Sequence, residues 1–151
     1  MTVNLLKTVS MDEKLARVIC GSSQIKKNKN KFYYDENDKR YVVQVGTFIY
    51  TRNPMELSVN RISTLSSEDA HGLGIAHRNE YQKDSTYYGF AEVIAQLCYD
   101  LNCQLEKDDM GGKNPYHANI VYPVGQKEDS QEIAVQLAFR AEFQPYKSTT
   151  L

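Results

Sequence analysis

Residues 114–123, NPYHANIVYP, open on a turn, close on a proline, and alternate polar with apolar side chains in between. A two-residue alternation is the period of a half-buried strand, so this stretch commits the chain to a sheet with one covered face. Tyr116, Ala118, Ile120 and Tyr122 then point to one side; His117, Asn119 and Val121 point to the other. An imidazole and a carboxamide stand side by side on a rigid support.

Upstream, Ser10 and Glu13 have the spacing of a capping box, and Met11, Leu15, Val18 and Ile19 follow on one helical face up to Gly21, which predicts a short amphipathic helix. Residues 22–31 (SSQIKKNKNK) are polar and basic and read as a loop or arm. Phe32, Tyr33 and Tyr34, an Asp- and Asn-rich tip, and Tyr41, Val42 and Val43 predict a hairpin whose second strand continues to about Tyr50. Asn53 and Pro54 make a turn, and residues 57–63 return as a third strand, completing an antiparallel meander.

Ser66 caps a predicted helix over 66–81, with Ala70, Leu73, Gly74, His77 and Tyr81 on one face. Its glycines weaken the helix, although a glycine also permits close packing. Thr86 caps a further predicted helix with the stripe Phe90, Ala91, Ile94, Cys98 and Leu101. Asp129 and Glu132 open a last one, with Ile133, Ala134, Leu137, Ala138 and Ala141 inward and Pro145 as its stop. Residues 146–151 read as a frayed tail. Strands followed by helices indicate an α+β class: one domain over 1–151, an antiparallel β-meander sheet joined by the later strand of His117 and packed against about three to four helices.

A length of 151 residues suffices for a buried core without disulfides or a structural metal, and a formal charge of −1 gives no global pull towards nucleic acid or membrane. Cys20, Cys98 and Cys103 are odd in number and lack CxxC spacing. The first residues lack a basic segment followed by a long apolar run, and no apolar stretch approaches the roughly 20 residues that span a bilayer. The expectation is a reduced, cytoplasmic protein without membrane contact or cofactor.

Three histidines are available for chemistry. His117 is a candidate general base or donor to a phosphate, with Asn119 orienting the bound group; structurally, it could instead tie the 114–115 turn to the sheet. His77 lies on an apolar helix stripe, where a satisfied core histidine is the commoner case. If it works, its partner is His117 across the helix–sheet interface, and Arg61 supplies positive charge. Arg61 among apolar neighbours is otherwise the partner of a buried carboxylate. His71 faces away from His77, so the two make no metal-binding face.

Lys26, Lys27, Lys29 and Lys31 beside Phe32, Tyr33 and Tyr34 have the residue types of a nucleic-acid contact, but Asp35, Glu36 and Asp38 dilute that field and favour a solvated loop. Gly111, Gly112 and Lys113 lack the P-loop pattern and precede a strand. Eleven tyrosines against five phenylalanines and no tryptophan suit a partner-binding surface.

The segments LSVNRI (57–62), YGFAE (88–92) and PYHANIV (115–121) resemble small uncharacterised bacterial proteins that carry a Pro-x-His-Ala-(Asn/Asp)-Ile-Val strand. The resemblance covers about the C-terminal two-thirds and carries no activity or catalytic residue over to this chain. Two functions are therefore expected to compete. The leading one is an intracellular accessory or interaction module without autonomous catalysis, which binds a protein partner or a second copy through its tyrosines. The other is a small metal-independent enzyme acting on a phosphodiester or nucleotide, with His117, His77, Arg61 and Asn119 as its site.

Overall fold

The computed structural model describes residues 8–50, 55–125 and 127–146. Its frame is a six-stranded antiparallel sheet. In chain order the strands are β1 (Lys14–Gly21), β4 (Glu56–Arg61), β5 (Thr86–Ile94), β6 (Gln104–Lys107), β7 (His117–Val121) and β8 (Glu142–Pro145), with β2 (Phe32–Asp35) and β3 (Arg40–Val43) forming a separate hairpin. Across the large sheet the order is β6-β7-β4-β1-β5-β8. Three helices, α1 (Ser67–Tyr81), α2 (Ala95–Asp100) and α3 (Lys127–Arg140), complete an α+β fold. The 53–54 turn and the tail beyond residue 146 lie outside the described residues.

The strand of His117 is present as read, and so is the helix capped by Ser66, whose Oγ accepts from Asp69 N at 3.1 Å. Gly74 on that helix allows a close approach: a Cβ there would sit 2.5 Å from the Tyr87 ring.

The predicted helix over 10–21 is instead β1, the strand between β4 and β5. Ser10 and Glu13 do meet, through Ser10 N to Glu13 Oε2 at 2.8 Å, but they close a turn rather than start a helix. Beyond that turn, LARVIC contains β-branched residues and pairs with β5 from Lys14↔Ile94 to Gly21↔Thr86. Long-range ladder bonds outweigh the local capping signal.

The predicted helix after Thr86 is also a strand for its first nine residues, TYYGFAEVI, which are rich in β-formers. Phe90 and Ala91 consequently bury on opposite faces, and only α2 remains helical. Gly89 sits at the irregular point of β1–β5 pairing with φ +139°, a backbone region that L side chains rarely adopt, and Gln144 O lies 2.2 Å from where its Cβ would be.

Two smaller expectations also change. The meander is incomplete, because β4 pairs with β1 and β7 rather than with the β2–β3 hairpin, and β3 gives way to a 3-10 turn at Val45–Phe48. The last helix ends at Arg140, and Pro145 belongs to edge strand β8, where a missing N–H is tolerated. The basic segment 22–31 folds around Asn28, whose side chain bonds Ser22 and Gln24 backbone groups, while Lys31 Nζ donates to Cys20 O at 2.7 Å. Lys26, Lys27 and Lys29 stay exposed.

Both sheet faces are covered. Leu15, Ile19, Leu57, Val59, Val93 and Ile120 pack with Phe48 and with Ile133, Ala134 and Leu137 of α3. On the opposite face Ala16, Ile62 and Phe90 meet Ala70 of α1. Helix α1 thus lies over β1 and β5, with its last turns beside the β4–β7 side of the sheet.

Candidate functional site

Between α1 and the sheet lies a cavity of about 520 Å³, within the range of small-ligand sites. Leu73, Ala76, His77, Glu80 and Tyr81 of α1 face it at helical spacing. Residues Glu56 to Asn60 of β4 and Arg17 and Val18 of β1 line it from the sheet. His117 enters from the first position of β7, and Met110, Lys113 and Asn114 approach from the preceding loop. His77 and His117, nominated separately from sequence, share one cavity.

His117 is 7% exposed and held at one nitrogen only: Nδ1 lies 2.7 Å from Asp108 O, which can only accept. Nδ1 therefore carries a proton, and Nε2, buried and without a partner, is the position left for exchange. Such an orphaned atom is uncommon in a folded protein and calls for an explanation. The Nδ1 contact also ties the start of the 108–116 loop to the sheet, at Asp108 rather than at the 114–115 turn, whose Asn114 is held by Asn60.

His77 packs against Tyr81, with ring centroids 5.1 Å apart. Burial pushes its pKa below the ordinary 6.5, the positive charge of Arg17 and the His117 imidazole push the same way, and Glu80 opposes them. The imidazole is therefore held neutral at pH 7.

Asn60, rather than Asn119, stands beside His117. The two are directly paired across β4 and β7, and Asn60 Oδ1 accepts from Asn114 Nδ2 at 2.8 Å. With its oxygen engaged, the group that Asn60 offers the cavity is its amide donor. Asn119 pairs with Ser58 and Glu106 and does not line the cavity. Arg61 is likewise elsewhere: it reaches Glu13 at 3.2 Å and Pro115 O at 2.9 Å, the carboxylate-partner role weighed above.

The cation in the cavity is Arg17. The β1–β4 ladder contains only the pairs Leu15↔Arg61 and Ala16↔Asn60. Past them the Arg17 side chain takes over the link, Nη1 donating to Ser58 O at 2.9 Å and Nε to Thr47 O at 3.1 Å. Burial lowers its pKa to about 10, so it remains charged at neutral pH. Among the described residues no carboxylate lies within ion-pair distance of it. At the rim, Lys113 Nζ is 3.5 Å from Glu80 Oε1. Among the described residues, no three His, Cys, Asp or Glu side chains gather closely enough to hold a metal ion.

His71 is outside the site. Its Nδ1 is 2.8 Å from Tyr87 Oη, and its ring packs with Phe90 and Tyr146; burial lowers its pKa too.

Both shifted histidines bind a proton more weakly folded than unfolded. Their full contribution to stability is present above pH 6.5 and is lost as pH falls through their lowered folded values. Thermal unfolding at pH 7.5 and 5.5 is therefore expected to give a lower Tm in acid. His77→Gln should reduce that difference, leaving the part due to His71; an unchanged difference would mean that His77 is not held neutral.

Compared with known proteins, the chain matches no family model, no curated protein and no solved structure.

Proposed function

We propose that the cavity is the acid–base site of a small metal-independent enzyme acting on a phosphodiester or nucleotide. The observation that carries this reading is that His77 and His117 line one cavity and that His117 is close enough to disfavour charge on His77. Two imidazoles can divide the base and acid roles of a metal-independent phosphodiester cleavage.

His77, kept neutral by burial, takes a proton from the attacking hydroxyl as its oxygen bonds to phosphorus. His117, its Nδ1–H held by Asp108 O, enters the step with a second proton on Nε2 and gives that proton to the leaving oxygen as the old P–O bond breaks, ending as the neutral Nδ1–H ring. The proton taken by one ring balances the proton lost by the other. Proton exchange with water then restores the pair.

The competing partner-binding reading has less support, because most tyrosines are spent inside the protein. Tyr88 Oη donates to Ser22 O, Tyr122 Oη to Phe48 O and Tyr99 Oη to Val9 O, and of the tyrosines only Tyr33 and Tyr81 are strongly exposed. Among the described residues no helix is long and apolar enough to cross a membrane. Three free, buried thiols support an intracellular setting.

The test is release of nitrophenol from bis(4-nitrophenyl) phosphate, and opening of 2′,3′-cyclic mononucleotides, with chelator present. Cleavage that depends on both histidines supports the reading. No cleavage of either substrate, or a rate unaffected when both histidines are replaced, overturns it.

A further inference from the structure

We propose that Arg17 binds the phosphoryl group of the substrate and limits the cavity to singly charged phosphodiesters, an assignment that rests on the acid–base reading above. Arg17 occupies a place where a strand would ordinarily continue its ladder. Two of its five N–H donors satisfy the carbonyls of Thr47 and Ser58, so three remain for a ligand. Carbonyls orient a guanidinium without neutralising it. A largely enclosed cation without a counter-ion is costly, and a bound anion in the adjoining cavity removes that cost.

The charges around the cavity set the size of the anion's charge. Its lining holds two fixed cations, Arg17 and Lys113, and two carboxylates, Glu56 and Glu80. Lys113 is engaged by Glu80, and Glu56 repels additional negative charge. Arg17 is therefore matched by one negative charge, with Asn60 beside it as a neutral donor. A diester carries that single charge. A monoester above its second ionisation, near pH 6, carries two.

The matched probes are dimethyl phosphate and methyl phosphate, titrated into the full chain at pH 8 and followed by backbone amide NMR shifts. Dimethyl phosphate is expected to bind about tenfold or more tightly than methyl phosphate, with shifts centred on β1, β4 and the 108–116 loop. Arg17→Lys, which keeps the charge but loses the planar fork, should weaken diester binding about tenfold. Equal or tighter binding of methyl phosphate overturns the assignment, and so does unchanged diester binding in a folded Arg17→Lys protein. The two readings separate cleanly. Diester binding that needs Arg17 in a protein that cleaves nothing leaves this assignment standing and removes the acid–base one. Histidine-dependent cleavage with Arg17-independent binding does the reverse.

Discussion

Replacing His77 with glutamine, or His117 with asparagine, is expected to lower the rate of phosphodiester cleavage by about 10²–10⁴-fold. Each substitution keeps much of the ring's shape and removes its proton chemistry. The two changes should not multiply. A pair that passes protons in one step works as a unit, so the double variant should be about as slow as either single one. His71 is the internal comparison: it is also buried, but its Nδ1 is engaged with Tyr87 and it lies outside the cavity. His71→Gln should cost stability and leave the rate per folded molecule near that of the parent. Steady-state rates on a chromogenic diester, corrected for folded fraction, distinguish these outcomes.

Arg17→Ala is expected to be the most destabilising single change at the site, by about 3–5 kcal/mol. The loss has two sources. The Thr47 and Ser58 carbonyls each lose a charge-assisted donor, worth about 1.5–3 kcal/mol apiece, and the link between β1 and β4 is cut where their ladder has already stopped. Urea denaturation should show a lower midpoint with a similar slope. A loss below about 1 kcal/mol would mean that water replaces the guanidinium readily and that the two strands need no side-chain bridge.

Legibility followed the range of the forces involved. Helix α1 and strand β7 are specified by neighbours in the chain: a serine cap bonding three residues ahead, and an alternation bounded by Asn114 and Pro123. β1 and the first part of 86–101 fit a helical as well as a strand period, because their apolar runs are short. What decides between the periods is the pairing of β1 with β5 across some seventy residues, which no local pattern records.

The same ambiguity of period conceals Arg17. In a helix over 10–21 it falls outside the apolar stripe, whereas in strand LARVIC it shares a face with the buried Leu15 and Ile19 and so turns inward. A strand period over that segment places a cation among apolar residues. His77 and His117 could be nominated because each is a rare residue on a regular element. Their meeting depends on β4 inserting between β1 and β7, and that order also brings Asn60 opposite His117 in place of the chain neighbour Asn119.

The claim that the two imidazoles form one coupled pair is tested most directly by the titration of His77, read from its Cε1–Hε1 NMR signal in the parent protein and in His117→Asn. Charge on His117 disfavours charge on His77, so removing His117 is predicted to raise the His77 midpoint towards the ordinary 6.5. An identical His77 midpoint in the two proteins would contradict the coupling, and with it the shared site.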